Sequence, residues 1–313
     1  MNTSVAERSP ALRDGPAFPL WLLLATLAGC ILFFVSSGDG YWPTWARRLW
    51  NSGHFMVFAG LGWIGWRWLP GRLVTRWLIG LGLALIIGIA IELAQLSRGG
   101  REVGLDDVAL DLAGAWVGLW WASLCRVWRR HRGVAVAVAA VAIAATLWAA
   151  APVWRAGSSA VVGLWRFPVL FEPRMRSALE RIDPSGRALL IAGADGLTVQ
   201  LSPALFAGFK LYDMPSDWRD YAELLIVLEN PGSETLPVTC RIHDIPHNLM
   251  YSDRYNRGFQ LPPGMVTLAI DLAEVATAPA DRPMAMDAIL EVGCFASEPM
   301  PDRSFVLREM RLR

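Results

Sequence analysis

The stretch Trp77-LIGLGLALIIGIAIELAQLSRGGREVGLDDVALDLAGAWVGLW-Trp121 decides how this chain is read. One apolar run ends in Glu92-Leu-Ala-Gln95, and a short polar loop through Arg98 and Arg101 follows it. A second run opens at Asp106-Asp107 and carries Asp111, Gly114 and Gly118. Each run holds about 20 residues, enough at ~1.5 Å per residue to cross a bilayer core. The expectation is two membrane helices meeting at a tight loop, with acids and arginines gathered at the junction. An ionisable side chain within a span is costly, so such residues are functional candidates by default.

Composition extends this reading to the rest of the chain. Of 313 residues 54% are hydrophobic, and 14 of the 16 tryptophans lie at or before Trp154. That asymmetry divides the protein into a membrane domain at 1–152, a linker at 153–177 and a β domain outside the cytoplasm at 178–313. The net charge of +1 gives no footprint for nucleic acid. The four cysteines have no metal-ligand spacing.

Toward the amino terminus, Pro19–Ser36 is a further apolar run. It contains Leu27-Ala28-Gly29-Cys30, which has the form of a lipoprotein cleavage box, but Ile31 to Val35 continue the apolar run, so an uncleaved helix is expected. Tyr41–Trp50 interleaves tryptophans with Arg47 and Arg48, as an interfacial segment does. A span at Asn51–Leu69, opened by His54, and another at Gly133–Ala151 bring the total to about five. With that count, nine arginines (8, 13, 67, 72, 76, 126, 129, 130 and 132) fall on one side and four (47, 48, 98 and 101) on the other. The positive-inside rule then puts the amino terminus in the cytoplasm of a multi-pass inner-membrane protein. His54, the Glu92–Asp111 hairpin and a periplasmic carboxy-terminal domain all come to the outer face.

From about Val161 the period changes to two. Leu197–Leu201, Val238–Ile242 and Val266–Ile270 alternate apolar and polar residues, with turn signals at Asn230-Pro-Gly-Ser, Pro262-Pro-Gly and Ala278-Pro279. An antiparallel, all-β sandwich follows from this pattern. Cys240 and Cys294 both point inward, either as a disulfide or as two separate core thiols.

Helix spacing gathers the charged residues of the membrane half. Glu92 and Gln95 share one face, and Asp107, Asp111, Gly114 and Gly118 share another. The glycines would press the fourth span against the third and aim the acids at Glu92. With His54 this makes a His–carboxylate–Arg cluster at the membrane boundary. His54, Glu92 and Asp107 are candidate catalytic groups; Gln95, Arg101 and Asp111 are candidate binding groups. A charge network that merely pins the hairpin is the alternative. Metal ligation by His54, Glu92 and Asp107 is compatible with their types, but His54 lacks a second histidine at motif spacing, so neither metal nor cofactor is expected. No phosphate loop, dinucleotide fingerprint, H-E-x-x-H or G-x-S-x-G occurs.

A histidine followed by Phe58, then Glu92-x-x-Gln95, Arg101, Asp107, a polar residue at 111, Gly114 and Gly118 resembles the VanZ-like family over roughly residues 40–125. Trp50 and Asn51 stand where that family commonly has an acidic–basic pair, and Asp111 where asparagine is usual. The resemblance implies an envelope process related to glycopeptide-antibiotic resistance, and no particular reaction. Asp217-Trp218-x-x-Tyr221, Arg241-Ile-His-Asp244, Asp253-Arg254-Tyr-Asn256 and Leu261-Pro-Pro-Gly264 resemble carbohydrate-binding modules of the galactose-binding jelly-roll type. That resemblance implies a glycan site drawn from Trp218, Asp244, Tyr251, Asp253, Arg254 and Tyr255; as ordinary structure, Trp218 is core and the polar residues cap turns. The reading that follows is a membrane protein that binds or protects an envelope glycan or a lipid-linked glycan precursor. A membrane-embedded hydrolase or transferase working through the His/Glu/Arg/Asp cluster is the alternative.

Overall fold

The computed structural model describes residues 42–96, 105–130 and 132–313. The chain divides into two compact units; Asn51–Ala149 form most of one, and Ala150–Arg313 most of the other.

The first unit is helical. Helix α1 spans Thr44–Gly65, α2 Leu73–Leu96, α3 Leu105–Arg130 and α4 Arg132–Arg166. The interfacial segment and the span expected on either side of Trp50 are one continuous helix, so His54 sits mid-helix and not at its opening. No proline interrupts the helix near Trp50 and the single Gly53 does not break it, and the change in composition alone does not end one. Gly71, with φ of +92°, makes the turn at Pro70-Gly71-Arg72. Among the described residues two helical segments are long and apolar enough to cross a membrane, Leu73–Leu93 and Arg132–Arg166. Helices α1 and α3 do not qualify, and Pro19–Ser36 lies outside the described residues. Of the four spans expected within the described residues, two are therefore found. Along α2 the side chains of Leu78, Ile86 and Leu93 are exposed, as expected of a surface that meets lipid.

Glycines set the packing. A Cβ at Gly114 would lie 2.2 Å from the Phe55 carbonyl oxygen, and one at Gly118 would lie 2.0 Å from that of Ala59. The α3 glycine face therefore meets α1, and not α2 as the spacing had implied. The reason is reciprocal: α1 supplies Gly62, whose Cβ would meet Ala115 O at 2.7 Å, so both backbones can approach. Helix α2 packs on α3 through larger groups, including an edge-to-face Trp77–Trp116 pair with ring centres 4.8 Å apart.

Helix α4 runs for 35 residues, about 52 Å at 1.5 Å per residue. It carries on through the segment expected as a linker, and β1 (Val169–Phe171) follows directly. The second unit is an antiparallel β-sandwich. Its remaining strands are β2 (Ile182–Ser185), β3 (Leu189–Ala192), β4 (Leu197–Gln200), β5 (Ala207–Leu211), β6 (Glu223–Asn230), β7 (Leu236–Asp244), β8 (Tyr255–Leu261), β9 (Gly264–Asp271), β10 (Ile289–Ala296) and β11 (Ser304–Leu312). One sheet has the order β3-β4-β11-β6-β9 with β1 also on β11; the other has the order β2-β5-β10-β7-β8. Period-two burial along β6 and β7 fills the space between the sheets with Phe209, Trp218, Leu224, Ile226, Leu228 and Phe305. Of the three expected turns, the first two join consecutive strands, and Ala278-Pro279 follows the short helix Leu272–Ala276. Asn230 accepts from the Gly232 N–H at 3.0 Å between β6 and β7, and Gly264 opens β9 at φ of +94°. Cys240 and Cys294 are opposite one another on β7 and β10 and form a disulfide.

Candidate functional site

The helical unit brings His54, Glu92, Asp107 and Asp111 together from three helices. Asp106 and Asp107 occupy the first turn of α3, where the helix dipole favours negative charge. Asp111 stands one turn further on, fully buried, with Oδ1 3.0 Å from His54 Nδ1. It fits there because Gly88 of α2 has no side chain: a Cβ at Gly88 would be 2.6 Å from Asp111 Oδ2. His54 and Glu92 are each only 4% exposed. A ring nitrogen of His54 and one carboxylate oxygen each from Glu92 and Asp107 all lie within 4.8 Å of one another. Arg101 lies outside the described residues, as does the side chain of Gln95. Gly88 was not singled out from the sequence, because a glycine in an apolar run carries no signal of what fills its gap.

In the sandwich the candidate residues separate into two groups. Trp218 is fully buried, its Nε1–H donating to the Pro215 carbonyl at 2.9 Å, and Tyr255 is in the core at 5% exposure. Asp244 is fully buried, and accepts from both Arg282 terminal nitrogens at 2.5 and 2.7 Å and from the Ala285 N–H at 2.7 Å. Asp253 takes the remaining Arg282 nitrogen, Nε, at 2.7 Å, and accepts from the Asn248 N–H at 2.9 Å. Burial alone would raise the Asp244 carboxyl, but Arg282 against it holds it below the usual carboxylate range. Arg282 thus ties the loop after β7 to the β8 entry, and these two aspartates are spent in that tie. Sequence reasoning missed Arg282 because it lies 38 residues from Asp244 in the chain. Tyr251 is exposed, with the Arg254 guanidinium 5.4 Å from its ring centre.

Register places further groups on the outer face of the five-stranded sheet. Along β7 the inward residues are Val238, Cys240 and Ile242, so Arg241 and His243 point outward. Arg241 is paired in register with Asn256 of β8, and Glu291 of β10 with His243. Glu291 is 5% exposed, and is bonded by Arg241 and faced by His243 Nε2 at 3.5 Å. Burial would push its carboxyl up, but His243 and Arg241 hold it down at about 2. The nearby Tyr212 phenol is pushed up, first by burial and then by the Glu291 charge. Arg241 lies over the Phe295 ring at 5.5 Å. Three polar atoms of this row, Arg241 Nε, Arg254 Nε and Asn256 Oδ1, are buried with no hydrogen-bond partner among the described residues.

Three buried groups and the half-buried Asp107, on three helices and carrying the spacing of one family, invite a direct comparison. Residues 18–126 match the VanZ/LLP1 family. The VanZ/LLP1 match takes in His54, Glu92, Asp107 and Asp111 and ends before the sandwich. Structural neighbours of the sandwich include PfGH50B, at 17% identity and TM-score 0.34, covering 42% of this chain and 22% of that one. A family 11 carbohydrate-binding module from Clostridium thermocellum, in complex with a β-1,3-1,4-mixed-linked tetrasaccharide, gives 13% identity and TM-score 0.33 over 42% of this chain and 82% of its own. A family 29 carbohydrate-binding module gives 12% and 0.31 over 46% and 89%. The chain thus spans less than a quarter of PfGH50B and most of each separate module. Comparison with curated proteins finds no match.

Proposed function

We propose that this is a membrane-anchored protein that binds an envelope glycan or its lipid-linked precursor at the outer face of the inner membrane, with the saccharide held by the sandwich. The observation that carries the reading is the row Glu291–Arg241–Asn256–Arg254 on the outer sheet face, with buried polar atoms lacking partners and the exposed Tyr251 beside it. Buried polar groups are ordinarily satisfied, and those that are not call for a ligand or ordered water. Saccharides supply hydroxyls for planar charged groups and apolar C–H faces for an aromatic ring. The Cys240–Cys294 disulfide supports a sandwich outside the cytoplasm, since such bonds persist in oxidising compartments. Arginine distribution supports an amino terminus in the cytoplasm.

The test is saturable binding of lipid-linked and free envelope saccharides to the full chain purified in detergent. Tyr251→Ala and Asn256→Ala are expected to weaken binding about tenfold or more, within the range of a lost stacking or hydrogen-bond contact, while the melting temperature holds. Binding that both variants leave intact, or no saccharide bound at all, overturns the reading.

A second reading has its own observation. His54 is fixed through Nδ1 by Asp111 next to Glu92 and Asp107, the arrangement of an oriented general base. In this reading the helical unit catalyses hydrolysis or transfer on the lipid-linked compound, and product formation distinguishes it from binding alone.

A further inference from the structure

We propose that His54, Glu92 and Asp107 bind one divalent transition-metal ion, with Asp111 orienting the imidazole from behind. The inference concerns the helical unit alone, so it stands or falls separately from the glycan reading.

Three observations converge on it. The first is geometric. Three donors no more than 4.8 Å apart lie within about 2.8 Å of a common centre, and closing to the ~2.0–2.2 Å of zinc bonds to nitrogen and oxygen takes movements of under an ångström. The donors come from α1, α2 and α3, so the ion would fasten three helices at one point.

The second is the backing of the histidine. Metal-bound histidine almost always gives its other ring nitrogen to a carboxylate, a carbonyl or water. Asp111 holds Nδ1 at 3.0 Å and is itself completely buried, which assigns Nε2 to the metal. The other Asp111 oxygen is buried with no hydrogen-bond partner among the described residues, as expected of a group present for one contact. Gly88 makes room for it in the opposite helix wall. A carboxylate placed in this way does for an imidazole ligand what no apolar residue could.

The third is charge. Glu92, Asp107 and Asp111 carry three negative charges when ionised, and a metal-bound imidazole is neutral. A dication cuts that excess to a single negative charge, which matters in a buried cluster, where uncompensated charge is costly. One imidazole with two carboxylates is a mixed donor set suited to Zn2+ or Mn2+, because imidazole favours the first and oxygen donors the second. Three protein ligands leave a coordination position open. An ion held so can polarise a phosphoryl or carbonyl oxygen of a lipid-linked substrate, and with both ring nitrogens of His54 occupied it would replace His54 as the activating group of the second reading.

The experiment uses the full chain in detergent. After chelation and removal of the chelator, it is titrated separately with Zn2+ and Mn2+, reading bound metal by elemental analysis and the melting temperature. The expected result is about one ion per chain of one of the two metals, with a rise in melting temperature that chelator reverses. Glu92→Gln and Asp107→Asn should lose the ion. Asp111→Asn should keep it with roughly 10–100-fold weaker affinity, the usual cost of losing such a supporting contact. His54→Cys preserves a ligand and should retain zinc, so a fold lost on truncating His54 does not hide the answer. A chain that binds neither metal, or an ion retained unchanged in Glu92→Gln and Asp107→Asn, overturns the site. A metal-loaded chain that binds no saccharide leaves the metal site standing and removes the glycan reading; a metal-free chain that binds saccharide does the reverse.

Discussion

Glu291 is a carboxylate kept ionised in a buried position, and that has a measurable acid signature. Its folded value is held at about 2 against 4.5 in the open chain, so its stabilising contribution is complete above pH 4.5 and is lost as pH falls from there toward 2. Hydrogen exchange at the β7 and β10 amides should report a loss on the order of 3 kcal/mol across that interval. Glu291→Gln should flatten the dependence, at some cost at neutral pH because Arg241 loses its partner. An unchanged slope in the variant would assign the acid sensitivity to Asp244 and Asp253 instead. A second consequence at this scale concerns Arg282. Arg282→Met leaves the fully buried Asp244 charge without its cation and with only the Ala285 N–H against it, and calorimetry should show the sandwich destabilised by about 3–5 kcal/mol. The residue scale is also where the sequence was least legible. Asp244 and Asp253 have the types of sugar ligands and are held by Arg282, a long-range partner that no local pattern reveals.

At the scale of elements, the α1–α3 crossing depends on glycines that tolerate no side chain. Gly118→Ala would place a methyl 2.0 Å from the Ala59 carbonyl oxygen, so the helices must part. The expected cost is about 1–3 kcal/mol, together with loss of the His54–Asp111 contact that depends on the same crossing. Gly82 is the control. Nothing lies within 4 Å of a Cβ there, and Gly82→Ala should be neutral or stabilising by up to about 1 kcal/mol. Thermal melts of the two variants in one detergent decide the matter, and equal effects would remove the close crossing. The four-residue spacing of Gly114 and Gly118 was visible in the sequence, but the helix they meet was not. Spacing identifies a face, and only the reciprocal small residue at Gly62 identifies its partner. In the sandwich, strand alternation and turn chemistry were legible because both are local. The continuation of α4 to Arg166 was not, because Trp154 and Arg155 end an apolar run without ending a helix.

At the scale of the whole molecule, the two cysteines join strands 54 residues apart in the chain. Replacing both by alanine should destabilise the sandwich by about 4 kcal/mol by the loop-closure argument. Chemical denaturation of oxidised and reduced chains should give a difference of the same sign. Division into a helical and a β half was readable from the tryptophan distribution and from the alternating segments at Leu197–Leu201, Val238–Ile242 and Val266–Ile270, although Val161, where the change of period was expected, is still within α4. The number of spans was not, because α1 and α3 carry enough polar residues to fall short on composition.

The placement of β11 bears on how the protein is made. This strand lies between β4 and β6 and also pairs with β1, so it holds the middle of its sheet although it is synthesised after the other ten. A ribosome that halts before Ser304 releases a chain with most of the sandwich sequence and the edges of three strands, β1, β4 and β6, left without their partner. Such edges recruit other chains or proteases. The six-stranded sheet is therefore complete only once β11 has paired, and a chain without it would show the unpaired backbone of three strands.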